Sequence, residues 1–365
     1  MEPFQRLIYK HDAVSFLETL LPFHGPLDEA GKSRFGLIGA KEDLARLNLC
    51  PVSPGPPLKG FLFPQTETIL SYGQVSPGGG GSKAPSGRRS VFFGVRPCDG
   101  RAFDALDSHF IQYAADAAYT QRRESSVLVG LGCNQPGPNC FCSSVKGGPF
   151  STAGLDALWS DIGEAYLIEA FTARGREMFE GGAMLKEAAA SDLKKKEEAE
   201  KAALGLFERR VETDGIKEQL EEDNDDGLWN ELARKCIGCG ICAYLCPTCY
   251  CFLAYNDEVR GQGRRVRTWT SCQFPKFIFQ PTGKNLRPTK ASRIKRRVWD
   301  KFKEFPDRFG KLACMGCGRC TDNCPVDIDL VEIISTLQRH HDSAAGGGEQ
   351  QSARTQAGEP TCPLR

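Results

Sequence analysis

The first half of the chain alternates short apolar runs with polar, helix-compatible stretches. Phe35–Ile38, Phe61–Phe63, Thr68–Leu70, Val91–Phe93, Val127–Val129 and Tyr166–Ile168 are each of strand length and bounded by Gly, Pro or charged residues. Between them lie stretches such as Ala40–Leu47, with helical composition. Near the N-terminus, Asp12 and Ser15 are candidate caps for a short helix carrying Phe16 and Leu17, which leads into a Pro-rich loop. The alternation predicts an α/β domain over residues 1–175.

The pattern then changes. Lys, Glu and Ala dominate Leu185–Ala190 and Lys194–Glu198, and an acidic run, Glu221–Asp226, closes the stretch. Residues 176–227 read as a charged, solvated helical connector. Helical patches return in Lys290–Trp299 and Leu330–Leu337, within a domain predicted over 228–342. The Gly-, Ser- and Gln-rich residues 343–365 read as a disordered tail.

Two glycine-rich stretches invite a nucleotide reading and fail it. Ser76–Lys83 lacks the Gly-Lys-Ser/Thr ending and a following helix, so it reads as a surface loop. Gly130-Leu131-Gly132 starts like a dinucleotide fingerprint, but Pro136 falls where a helix interior should begin.

Composition narrows the chemistry. Lys+Arg and Asp+Glu nearly balance, giving a net charge of +1, which argues against a nucleic-acid binder working through bulk charge. No run approaches the length of a membrane-spanning helix, so no membrane span is expected. The outlier is cysteine, with 17 in 365 residues. A disulfide scaffold would be short, secreted and evenly counted, and this N-terminus shows no signal peptide. The expected setting is a reducing cytoplasm, where clustered cysteines are metal ligands.

Cys236, Cys239, Cys242 and Cys246-Pro247 spell C-x2-C-x2-C-x3-C-P, and Cys314, Cys317, Cys320 and Cys324-Pro325 repeat it. This is the bacterial ferredoxin run for [4Fe–4S] clusters, in which the fourth cysteine ligates the other cluster. Three thiolates at two-residue gaps wrap one cubane from a tight turn, with glycines letting N–H groups approach the sulfurs. Cys236, Cys239, Cys242 and Cys324 are therefore assigned to one cluster, and Cys314, Cys317, Cys320 and Cys246 to the other. Thiolates in fours also suit zinc, but zinc sites use two separated C-x2-C pairs rather than a triple plus Cys-Pro. The basic run Lys284–Arg297 offsets cluster charge, docks an acidic partner or is a solvated face.

Nine cysteines remain. Cys98 and Cys133 follow the apolar runs Val91–Val95 and Val127–Leu131, and Cys140 and Cys142 lie just beyond. Sites in α/β sheets gather at the carboxyl ends of strands. These four are candidates for a third [4Fe–4S] cluster, against structural thiols, zinc or a redox disulfide. Cys249, Cys251 and Cys272 are one short of a cubane; they read as structural thiols, or as a cluster that borrows a distant ligand. Cys50 and Cys362 need no role. Neither His-Glu-x-x-His nor Gly-x-Ser-x-Gly occurs, and the five histidines form no catalytic constellation, so no catalytic residue is assigned.

Taken together, Phe93–Asp99, Gly132-Cys133-Asn134, Cys140-Phe141-Cys142, Cys246–Cys251, Arg267–Cys272, Asn285–Thr289 and the second cysteine run resemble one family. It comprises the beta subunit of sulfhydrogenases and the dicluster electron-transfer subunit of anaerobic sulfite reductase, and the resemblance covers roughly residues 85–340. It implies an electron relay that links a flavin- and NAD(P)H-binding reductase subunit with a catalytic or second acceptor subunit. Hydrogenase, sulfite-reductase and heterodisulfide-reductase partners are all compatible. The connector near 176–225 and the loop near 76–83 look longer than the family pattern.

The expected fold is α+β: an N-terminal α/β domain followed by a helical two-[4Fe–4S] ferredoxin-like domain. The expected function is an electron-transfer subunit of a multi-subunit oxidoreductase, with no nucleic acid bound. The rival readings are a self-contained iron–sulfur enzyme with a small-molecule or flavin site in the α/β domain, and an iron–sulfur redox sensor.

Overall fold

The computed structural model describes residues 4–29, 32–50, 55–73, 89–223, 226–259 and 261–346. The glycine-rich loop near 76–83, most of the tail expected over 343–365, and Cys362 lie outside the described residues.

Residues that alternate or run apolar in the first half build one eight-stranded sheet. Its strands are β1 (Phe4–Tyr9), β2 (Phe23–Glu29), β3 (Lys32–Ile38), β5 (Ser90–Val95), β6 (Ser126–Leu131), β7 (Ala157–Asp161), β8 (Ala165–Ala170) and β9 (Lys186–Glu187). The spatial order is β3-β2-β5-β6-β7-β8-β1-β9. The central neighbours β2, β5, β6 and β7 run parallel, and the flanking pairs antiparallel. Every residue of β6 is buried, as expected of a central strand covered on both faces. Phe16, Phe93, Trp159 and Phe179 pack one side, and Phe92, Phe103, Leu128 and Leu158 the other.

The parallel arrangement matters because it sends the carboxyl ends of β5 and β6 to the same edge. Cys98 lies in the first turn of the helix Pro97–Asp107 that follows β5, with Pro97 at its start. Cys133 lies two residues beyond β6.

The apolar run Phe61–Phe63 is expected as a strand, but Lys59–Leu62 is a helical turn. A run this short fits either state by periodicity alone. Here Leu62 and Phe63 turn into the core beneath the Trp269 ring, 5.7 Å from Phe63.

The connector is helical in the segments Ala173–Phe179, Ala190–Gly205 and Ile216–Glu222. It is solvated on one side only. Lys196 pairs with Glu169 of the large sheet, while Val211, Ile216 and Leu220 enter the core of the C-terminal part.

The C-terminal part is largely helical, as expected: Gly227–Lys235, Lys290–Trp299 and Leu330–Gly346 surround the cysteine runs. It also contains a hairpin, β10 (Phe252–Val259) and β11 (Gln262–Trp269), between the two runs. The outer edge of β11 pairs with β4 (Thr66–Tyr72), which comes from the N-terminal part. Buried Arg267 on β11 binds Glu67 at 2.6 Å and also Asp116. The two parts are thus joined by a shared sheet and a buried ion network.

Candidate functional site

Each cysteine run folds as the same short device. In the first, Gly238 and Gly240 have φ of +74° and +76°; in the second, Gly316 and Gly318 have φ of +63° and +73°. Only glycine adopts this backbone without strain. The turn aims the Gly238 N–H at the Cys236 sulfur, 3.3 Å away, and Gly316 makes the equivalent bond to Cys314. After the second glycine a one-turn helix starts, Ile241–Tyr244 in one run and Arg319–Asp322 in the other, and the two helices pack together.

The packing collects the thiols into two cavities. Cys236, Cys239, Cys242 and Cys324 line the first, with Cys320 at its inner edge and apolar walls from Ile294, Val298 and Ile333. Cys246, Cys314, Cys317 and Cys320 line the second, beneath Phe141 and Leu330. Each cavity therefore holds one of the four-thiol sets expected from the sequence, including the exchanged fourth cysteine. Among the described residues, no three His, Cys, Asp or Glu side chains converge on a single ion. A cubane places each thiolate on a different iron, so its ligands spread around a cavity rather than meet at one point. Four soft thiols, apolar walls and N–H donors aimed at sulfur suit such a cluster.

Burial makes these thiols poor acids on their own. It pushes Cys242 and Cys314 up to about 12, so taking up metal must displace their protons. The basic run supplies the compensating charge. Arg297 lines both cavities and donates to the Cys242 carbonyl at 3.1 Å. Burial opposes its charge, but the sulfurs of Cys242, Cys320 and Cys246 outweigh that and hold its pKa up. Lys301 is raised in the same way by Cys246 and Cys249, and donates to Thr248 Oγ1 at 2.7 Å. Other members of the run serve packing: Arg293 donates to the Arg287 and Pro288 carbonyls, and Lys295 pairs with Asp223 at 3.0 Å.

The four N-terminal cysteines lie within electrostatic reach of one another. The sulfurs of Cys133, Cys140 and Cys142 act on one another, and Cys140 acts on Cys98. Burial pushes Cys98 and Cys142 up to about 12 and Cys140 up to about 11. Arg96 reaches the Cys133 sulfur at 2.6 Å. The turn carrying Cys140 and Cys142 sits directly on the second run. The Phe141 N–H donates to the Gly316 carbonyl at 2.7 Å, and a Cβ on Gly316 would lie 2.6 Å from Cys142 Cα.

One contributor was not apparent from the sequence. Arg319, between Cys317 and Cys320, is 2 % exposed. It binds Asp99 at 2.5 Å, the Gly55 carbonyl at 2.7 Å and the Cys98 sulfur at 3.9 Å. A lone arginine inside a cysteine motif gives no sign of a carboxylate so far back in the chain. Cys50 is exposed. Cys249, Cys251 and Cys272 gather at the base of the β10–β11 hairpin and line a further cavity next to the second one.

Residues 235–328 match the family model described as a 4Fe–4S dicluster domain. The chain is similar to sulfhydrogenase 2 subunit beta of Pyrococcus furiosus, with 27% identity over 318 residues, 86% of this chain and 92% of that protein. No solved structure matches it. Among the described residues, no helix is long and apolar enough to cross a membrane. The chain is an iron–sulfur protein with a C-terminal 4Fe–4S dicluster domain, similar along most of its length to a sulfhydrogenase beta subunit.

Proposed function

We propose that the chain is an electron-transfer subunit of a multi-subunit oxidoreductase. Its relay would link a flavin- and NAD(P)H-binding reductase subunit with a catalytic or second acceptor subunit of hydrogenase, sulfite-reductase or heterodisulfide-reductase type. One cluster is held by Cys236, Cys239, Cys242 and Cys324, a second by Cys314, Cys317, Cys320 and Cys246, and a third by Cys98, Cys133, Cys140 and Cys142. Each bound cluster supplies one-electron chemistry with no bond broken. The observation that carries the reading is the run of contacts linking the three thiol sets. Cys320 lines both cavities of the C-terminal part, and Arg319 and the Cys140–Cys142 turn join the second set to the third.

The protein's own contribution is spacing, dryness and charge. Cys314 and Cys317 are at most 9% exposed, so the middle of the relay is shielded from water. Cys239 is exposed, and neighbouring Ile237 is 64% exposed, which favours the first set as the end that meets a partner. Arg297, Lys301 and Arg319 lower the cost of placing negative charge in the interior. All the described cysteines are free, which fits a reducing cytoplasm.

Iron and sulfide analysis of the anaerobically purified full chain tests this reading, together with EPR. At least about twelve iron atoms per chain are expected. Saturation at about four or fewer would overturn the two-cluster claim. Turnover of a small-molecule donor by the isolated chain would instead favour the self-contained enzyme.

A further inference from the structure

A solvent-open cavity of about 270 Å³ lies beside the second thiol set, and the relay described above does not use it. Cys249, Cys251 and Cys272 all line it. Phe252 pairs antiparallel with Trp269 at the open end of the hairpin, and the Thr270 N–H donates to the Cys251 carbonyl at 3.0 Å. That pairing sets Cys251 and Cys272 side by side on the cavity wall, where their thiols act on one another. The Cys249 N–H donates to the carbonyl of Cys246, a member of the second set, at 3.3 Å, and the two thiols act on one another. Cys272 is 6% exposed, and Gln273 Nε2 donates to its sulfur at 3.4 Å.

The cavity wall is strongly cationic. Arg287, Arg296, Arg297, Lys301 and Arg308 face only two carboxylates, Asp300 and Glu304. Both carboxylates are already engaged by Arg296. The Nε atoms of Arg296 and Arg297 are buried without a hydrogen-bond partner. Unsatisfied buried donors and surplus positive charge are costly unless something electron-rich fills the space. Three thiols define what that is: soft ligands for iron, in a wall that compensates negative charge. No fourth cysteine and no histidine lines the cavity.

We propose that Cys249, Cys251 and Cys272 hold a further [4Fe–4S] cluster, beside the second set, whose fourth iron has no cysteine ligand and faces the open cavity. This goes beyond the three-set relay and depends on it only for the neighbour that exchanges electrons with the new site.

The test uses the anaerobically purified full chain and a Cys251→Ala/Cys272→Ala variant. Wild type is expected to hold about four iron atoms more than the variant. Mild oxidation should release the exposed iron and give a three-iron EPR signal in wild type that the variant lacks. A second measurement needs no variant: iodoacetamide should label Cys249, Cys251 and Cys272 only after a chelator has removed iron. Equal iron in folded wild type and variant, or a Cys251–Cys272 disulfide in the iron-loaded chain, would overturn the proposal. So would labelling of the three thiols at full iron content. Failure of the relay reading looks different, because it removes iron dependence from Cys239 and Cys317 while leaving these three thiols protected.

Discussion

Arg319 shows how much a single side chain between two cysteines can carry. Its guanidinium and the Asp99 carboxylate are both nearly inaccessible to water. Replacing Arg319 with Leu strips buried Asp99 of its guanidinium partner, at an expected cost of about 3–5 kcal/mol in chemical denaturation. Replacing both residues with Leu should recover part of that loss, because the orphaned carboxyl is then gone. His109 provides a contrasting case. Its ring stacks on Tyr250 with centroids 3.7 Å apart, and its Nδ1 is buried without a partner. Burial, reinforced by nearby Arg308, pushes its pKa from the ordinary 6.5 down to about 4. The unfolded chain therefore binds a proton that the folded chain refuses. Stability should be complete above about pH 6.5 and fall as pH drops toward about 4. A His109→Asn variant should show a flatter dependence of the denaturation midpoint between pH 7.5 and 5.5.

At the scale of elements, positive-φ glycines answer two separate demands, and substitution separates them. Gly283 and Gly316 both have positive φ, but a Cβ on Gly283 meets nothing within 4 Å, whereas one on Gly316 runs into the Phe141–Cys142 backbone. Gly283→Ala should cost about 1 kcal/mol for conformation alone. Gly316→Ala should cost about 2 kcal/mol or more, and it should loosen the third cluster proposed at Cys140 and Cys142. The helix Gly227–Lys235 places the first cysteine run through Trp229, which is fully buried and donates its indole N–H to Asp223 at 2.6 Å. Trp229→Ala should lose about 3–5 kcal/mol and lower iron content at the first set, read by thermal melting and metal analysis. The cysteine runs were legible from sequence because ligation there is local, with spacing and glycines within one turn. The strands β5 and β6 were legible because burial on both faces leaves an unbroken apolar run. The β10–β11 hairpin was not, since Asn256-Asp257-Glu258 and Arg264-Arg265 are polar and the pairing is satisfied partly across strands, as between Arg264 and Asp257 at 2.7 Å.

At the scale of the whole molecule, the apparent boundary near residue 228 is a boundary in composition more than in packing. β11 needs β4, and Arg267 needs Glu67 and Asp116, all supplied by the N-terminal part. A fragment covering 228–346 should therefore expose an unpaired strand edge and a buried cation without partners. Expressed alone it should aggregate or fail to retain iron, and co-expression with residues 1–223 should restore a soluble, iron-containing complex; gel filtration with metal analysis checks both. These long-range partners were invisible to motif reading, because nothing local to Arg267 or β4 marks them as a pair.

The exchange of fourth cysteines between the two runs also bears on biosynthesis. On the proposed assignment the first run gives Cys246 to the second cluster and takes Cys324 in return, so neither cluster could be completed from its own stretch of chain. While the ribosome is still making the segment between the runs, the first three thiols are present with no fourth. Both sets become complete only once the second run has emerged. Under that assignment metal insertion into this pair would be a late event, coming after the hairpin between the runs has been made, and a chain truncated before Cys324 should accumulate without a full complement in either site.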